Sequence, residues 1–202
     1  PTFGSDGIVS SGNGWDLALD GVGRIVVLGM TTTGRGNQVS TYYSVRRFFA
    51  DGASDLSFGT NGVAVTSFPN RYRLGTVRID SYGNVIVGTS TGTTDATTDF
   101  AVYRFNTNGV KDTSFSGDGA ALIDFGGGRD IGYSATAQSD GKIVMVGSIT
   151  AVGSTSGSSY ALARLNYDGT LDTSFGIDGR TIGAHNPNGE TLSTVLTLMD
   201  PA

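Results

Sequence analysis

Ser57-Phe58-Gly59-Thr60-Asn61-Gly62 returns along the chain as Ser114-Phe115-Ser116-Gly117-Asp118-Gly119 and as Ser174-Phe175-Gly176-Ile177-Asp178-Gly179. The same signal opens the chain as Thr2-Phe3-Gly4-Ser5-Asp6-Gly7. The aromatic falls at positions 3, 58, 115 and 175, so the steps are 55, 57 and 60 residues. A period of that size marks a unit that cannot bury its apolar face alone and stacks on its neighbours. What the copies share reads as scaffold, and what differs between them is where function can sit.

Outward from this motif each copy carries the same ordered signals. A short alternating run (15–19, 74–79, 133–137) leads into a turn: Asp20-Gly21-Val22-Gly23, Asp80-Ser81-Tyr82-Gly83 or Ser139-Asp140-Gly141. A β-branched run follows and closes on Gly29, Gly88 or Gly147, which are predicted to end the second strand where neighbouring backbones approach closely. After a loop of variable length comes a third run (43–48, 100–105, 160–165), then an Asx-Gly turn at Asp51-Gly52, Asn108-Gly109 and Asp168-Gly169. A fourth run (62–68, 119–125, 179–183) closes the unit.

Four short antiparallel strands per unit predict an all-β fold, a β-propeller-like array of four-stranded blades. The repeats span 12–68, 69–125 and 126–183, with partial blade strands at 1–11 and 184–202. A trimeric β-prism-like fibre head is the alternative with the same strand pattern. Phe3, Phe58, Phe115 and Phe175 are read as plugs between blades. Arg47, Arg104 and Arg164 each lie eight residues before Asp55, Asp112 and Asp172, which predicts a bidentate clamp on the aspartate or bonds to turn carbonyls.

Asp140-Gly141-Lys142-Ile143-Val144, then Tyr160-Ala161-Leu162-Ala163-Arg164-Leu165-Asn166, then Asp168-Gly169-Thr170-Leu171-Asp172-Thr173-Ser174-Phe175-Gly176 resembles the bacterial delta-60 repeat. The first and second copies depart from that pattern at Gly23-Arg24 and at Ser81-Tyr82-Gly83-Asn84. The resemblance implies a β-propeller fold and placement in a large exported or surface protein; it implies no reaction and no catalytic residue.

Composition narrows the chemistry. The net charge is −5, and a phosphate-backbone binder needs a basic face, so nucleic acid is not an expected partner. No run of about 18 apolar residues is present, so no helical membrane insertion is expected. Cysteine is absent, which removes disulfides and thiolate metal sites. The one histidine, His185, is read as a loop residue and leaves a Ser-His-Asp site or a histidine metal site without support. Asp6, Asp20, Asp118, Asp140, Asp168 and Asp178 all precede glycine or sit in a tight turn, and turn formation rather than calcium binding explains them. No catalytic residue, metal site or cofactor is predicted, and the expectation is a non-enzyme.

The 1–2 and 3–4 turns are nearly uniform, whereas two groups of loops vary from copy to copy. One group is 31–40, 89–98 and 149–159; the other is 11–14, 69–73, 126–130 and 184–190. Varied loops on a rigid scaffold suit a binding surface. The predicted ligand-contacting residues are Asn13, Trp15, Arg71, Tyr72, Arg129, Asp130 and His185, with Trp15 equally readable as core and 126–129 as a flexible connection. Aromatic faces beside amide, arginine and carboxylate groups suit sugar rings and protein hot spots. The expected function is a surface or secreted adhesion module for a glycan or cell-surface protein, extracellular or on a bacterial surface. The alternatives are a structural spacer or oligomerisation unit of a surface fibre and, least favoured, a glycan-processing enzyme. Because the chain begins inside a repeat and three blades leave open edges, a homo-oligomer, dimer or trimer, or a piece of a longer array is expected.

Overall fold

The structure is a computed structural model that describes residues 3, 4, 6–10, 13–34, 40–67, 72, 75–126, 128–151, 153, 154 and 157–185. Arg71 and the stretch 191–199 lie outside the described residues, as do the side chains of Ala184 and His185. The described chain is almost entirely β. The first sheet is β1 (Gly14–Leu19), β2 (Ile25–Thr33), β3 (Ser40–Phe48) and β4 (Val63–Val65). The second is β5 (Gly75–Ile79), β6 (Val85–Thr91), β7 (Asp99–Phe105) and β8 (Ala120–Ile123). The third is β9 (Gly128–Ala137), β10 (Ile143–Ala151), β11 (Ser159–Leu165) and β12 (Arg180–His185). Each sheet pairs its strands antiparallel in sequence order, and each is one blade of the propeller-like array.

Blade stacking follows from side-chain alternation. In β7, Phe100 and Val102 point to one face and Ala101, Tyr103 and Phe105 to the other, because successive strand residues alternate. The first set packs into one core with Ala135, Met145 and Ala163 of blade 3. The second packs into another core with Leu28, Tyr43 and Phe58 of blade 1. Blade 2 is therefore apolar on both faces, and every residue of β6 is buried.

The repeated motif joins blade to blade. Phe58 and Phe115 are fully buried, and the guanidinium carbons of Arg47 and Arg104 each lie 4.6 Å from those ring centroids. Arg47 Nε donates to Asp55 at 2.8 Å, Arg104 Nε to Asp112 at 2.7 Å and Arg164 Nε to Asp172 at 2.7 Å. The clamp is not the bidentate fork expected from the spacing, because the Nη1 arm reaches across to the next blade. Arg47 Nη1 donates to Thr107 O, and Arg104 Nη1 donates to Tyr167 O. Beside them Gly59 N donates to Asn108 O and Ser116 N to Asp168 O, both at 2.7 Å. Glycine is required in the receiving turn: Gly109 has φ +76°, and a Cβ there would sit 2.6 Å from Gly59 N and 2.9 Å from the Phe58 ring.

The aspartate of each clamp is held ionised. Burial pushes Asp55 up, but hydrogen bonds from Ser57 and Arg47 outweigh it and hold the carboxyl below its usual range. Asp172 is held low by Lys142, then Ser174 and Arg164. Most of the turn aspartates use a carboxylate oxygen locally. Asp6, Asp20, Asp118, Asp140 and Asp168 each accept the amide two residues on, the Asx-turn arrangement.

Several boundaries differ from the sequence reading. Gly29, Gly88 and Gly147 do not end their strands, which run on to Thr33, Thr91 and Ala151. The close approach expected at these glycines is present: a Cβ on Gly88 would lie 2.3 Å from the Ala135 Cβ of the next blade. The 126–129 connection is not flexible spacing, since β9 starts at Gly128 and pairs Arg129 with Thr150 and Asp130 with Ile149. His185 is not in a loop; it ends β12 opposite Ser159. Residues 7–10 form no strand. Phe3 and Phe175 are not sealed plugs as Phe58 and Phe115 are: Phe3 is exposed and Phe175 half-buried.

Arg104→Ala strands the Asp112 carboxylate and frees the Tyr167 carbonyl at once. It should cost about 3 kcal/mol and lower the melting temperature by roughly 6–12 °C. Arg104→Lys keeps the charge but not the two-way reach, and should recover less than half of the loss. Thermal unfolding followed by circular dichroism checks both values.

Candidate functional site

The variable loops meet on one face. Tyr72, in the connection from blade 1 to blade 2, donates its hydroxyl to Asp95 of the β6–β7 loop at 2.7 Å. Its carbonyl accepts the Tyr43 hydroxyl at 2.7 Å. Trp15 stands edge-on to Tyr43, with ring centroids 6.4 Å apart and an interplanar angle of 78°. An aromatic and hydrogen-bonded line thus runs from Trp15 through Tyr43 and Tyr72 to Asp95.

The β6–β7 loop is shaped by a single 3₁₀ turn over Asp95–Thr97, which the sequence reading did not foresee. Thr94 and Thr97 cap it reciprocally, and Thr98 Oγ1 donates to Thr94 O at 2.6 Å. The loop is then fastened to blade 3, because Asp130 N donates to Thr98 O at 2.9 Å and Thr98 bridges Arg129 in parallel. Fixing Arg129 beside this loop creates a groove of about 360 Å³ lined by Asp95, Ala96, Arg129, Thr150, Ala151 and Ser154, among others. It offers a carboxylate, a guanidinium and two hydroxyls around a small apolar floor.

Next along β9 from Arg129, Asp130 meets two further carboxylates. Asp99, Asp124 and Asp130 each place an oxygen within 4.8 Å of the others. Burial pushes Asp130 up to about 6, and although Phe125 N donates to it at 2.8 Å, the charges of Asp99 and Asp124 add to the rise. Burial, then Asp124, also raises Asp99. Three oxygens arranged this way can share a proton or contribute to a cation shell, though calcium takes six to eight oxygens.

The predicted contact residues are therefore distributed unevenly. Tyr72 and Arg129 are brought together through Asp95, and Trp15 joins them through Tyr43. Asp130 is buried rather than presented in the groove. Asn13 lines a separate crevice of about 40 Å³ with Gly14, Met30, Ser44 and Arg46 among its neighbours. Arg71 and the His185 side chain fall outside the description. Asp95, Thr150 and Ser154 were missed, as were Asp99 and Asp124. No sequence signal marks Asp95, because Thr94-x-x-Thr97 lacks the Glu or Gln that makes a capping box readable.

Residues 83–115 and 138–175 match the model of a family described as "Domain of unknown function (DUF5122) beta-propeller". Each matched stretch runs from a 1–2 turn region to the motif phenylalanine, the part that builds the blade interface. The match is to a β-propeller repeat family, in keeping with the delta-60-like resemblance. No curated protein matches the chain.

The elevated Asp130 carboxyl sets a pH dependence. The folded protein holds this proton between about pH 4 and 6 while the unfolded chain releases it, so this group's contribution to stability is present below pH 4 and is lost as the pH rises through 6. Asp130→Asn keeps an acceptor for Phe125 N and removes the titration. The variant should gain on the order of 2–3 kcal/mol relative to the parent between pH 4 and pH 7.5. Chemical unfolding at the two pH values measures that difference; equal differences at both would place the charge elsewhere.

Proposed function

We propose that this β-propeller repeat chain is a recognition module that binds a glycan on the face carrying the β6–β7 and inter-blade loops. The observation that carries the reading is the groove between Asp95 and Arg129, on the face where the copies differ. Its volume falls in the range of small-molecule sites. Carboxylate and guanidinium groups supply the paired acceptors and donors that vicinal hydroxyls need, and Trp15 and Tyr72 stand nearby as aromatic surfaces. A pocket of this size fits a saccharide unit better than a protein interface, which needs a broad patch of about 800 Å² per partner.

The adhesive role and the extracellular or bacterial-surface location rest on the delta-60-like resemblance. Binding rather than catalysis is favoured because the groove presents Asp95 paired with Tyr72, while the carboxylates with raised affinity for protons stand outside it.

A glycan array probed with the labelled chain should show a restricted set of ligands. Arg129→Ala and Thr150→Val should each weaken the best of them at least about tenfold, the loss of roughly one well-placed polar contact, with the melting temperature held within about 2 °C. Absence of any glycan ligand, or binding indifferent to both substitutions, would overturn the reading. Capture of a purified surface protein by the same residues would replace the glycan with a protein.

A further inference from the structure

The face opposite the groove, built from the 1–2 and 3–4 turns, repeats its backbone from copy to copy but not all of its side chains. The 1–2 turns align Val22, Tyr82 and Asp140, each one residue before the turn glycine Gly23, Gly83 or Gly141. The 3–4 turns align Ala50, Thr107 and Tyr167, each two residues before Gly52, Gly109 or Gly169. The junction of blades 1 and 2 is therefore supplied with Val22 and Thr107. The junction of blades 2 and 3 is supplied with Tyr82 and Tyr167.

The two tyrosine rings meet across that junction. Their centroids are 5.1 Å apart and their planes lie at 64°, so they form a corner rather than a stack. Gly141 is the floor of the contact. It has φ +82°, and a Cβ there would sit 2.9 Å from Tyr167 Cδ2 and 3.6 Å from Tyr82 Cε2. Buried Arg104 anchors Tyr167, because its guanidinium carbon lies 4.3 Å from the ring centroid and its Nη1 donates to the Tyr167 carbonyl. Tyr82 is held at its backbone, where its N donates to Asp80 at 2.9 Å. Yet both rings stay open to solvent, Tyr82 at 62% and Tyr167 at 40%. Folding has ordered two large aromatic side chains without burying them.

Polar groups stand in the same turns with capacity to spare. Neither phenolic hydroxyl has a hydrogen-bond partner among the described residues, and the hydroxyl of exposed Ser81 has none either. Exposed Asp140 spends one carboxylate oxygen on Lys142 N at 3.0 Å and keeps the other. The Lys142 ammonium is taken by Asp172 at 2.9 Å.

We propose that the Tyr82–Tyr167 corner is a second saccharide-contacting site, which takes one neutral pyranose ring by its flat C–H face. The negative faces of the aromatic rings attract the weakly positive C–H groups of such a sugar. The phenols, Ser81 and the free oxygen of Asp140 supply donors and acceptors for its hydroxyls. The sugar is neutral because Asp140 and Asp168 stand in these turns while Lys142 is already paired, so an acidic sugar or a nucleotide phosphate meets repulsion. Two rings are also far less than the roughly 800 Å² per partner of a protein interface. The site does not depend on the groove, which lies on the opposite face.

Amide NMR spectra of the whole chain, titrated with millimolar cellohexaose, chitohexaose and laminarihexaose, test this assignment. Saturable shifts at Tyr82, Gly141 and Tyr167 are expected with at least one of the three sugars. Tyr82→Ala should weaken that binding at least about tenfold, while Tyr82→Phe, which keeps the ring, should hold it within about threefold. Unchanged resonances elsewhere in each spectrum show that the variants fold. Thr150→Val, in the groove, should leave the corner's affinity unaltered, so failure of the groove reading and failure of this one are told apart. Shifts at the corner with none of the sugars would overturn the proposal, and so would equal losses in Tyr82→Ala and Tyr82→Phe. A proline-rich peptide that moves these amides where the sugars do not would overturn it in favour of an extended peptide ligand.

Discussion

One guanidinium at each of the two described blade junctions, gripped from three directions, is the constraint on which the array depends. Arg104 stands over Phe115, gives Nε to Asp112 of its own blade and sends Nη1 into the turn of the next, where the Tyr167 ring lies 4.3 Å away. Removing such a group from water is costly unless its donors are satisfied. Here the satisfaction is shared between two blades, so neither sheet alone provides it. The apolar faces supply attraction without direction; the arginine, the motif amide, and the Asp16 and Thr76 side chains that accept Val77 N and Ala135 N of the next blade supply register.

That division explains why the copies are uniform on one face and varied on the other. The 1–2 and 3–4 turns hold the Asx bonds, the receiving carbonyls and the glycines that let backbone meet backbone. A side chain at Gly109 would collide with the amide it must accept beside. The opposite loops take no part in this contact. They are free to carry Asp95, Arg129 and Thr150, and the short 3₁₀ turn between Thr94 and Thr98 fixes where Asp95 stands. Even there, one loop is tied to the next blade through Thr98 and Asp130, so the groove sits on rigid backbone rather than on mobile tips.

The fold was legible because period, alternation and turn chemistry all pointed the same way. Phe58 and Phe115 were readable as plugs, and the Arg–Asp spacing as a tie, from position alone. Strand ends were less legible. Gly29, Gly88 and Gly147 were readable as points of close approach, but not as positions through which the strand continues. The site was legible by region and not by residue. Tyr72 and Arg129 stand out by type, but Asp95 becomes important only when Tyr72 is folded back onto it. The convergence of Asp99, Asp124 and Asp130 joins the starts and ends of three strands, and no spacing rule in one dimension announces it. Asp130, chosen as a surface contact, is buried because β9 begins two residues earlier than the glycine run suggests.

If the shared arginine sets the blade register, its loss must be felt first at the amide beside it. Hydrogen exchange at Ser116 N, which donates to Asp168 O across the blade 2–3 boundary, reads that junction directly. In Arg104→Ala, Ser116 should lose protection by at least about tenfold more than Gly59, whose junction keeps Arg47. Equal protection at the two amides in the variant would mean that apolar packing alone aligns the blades.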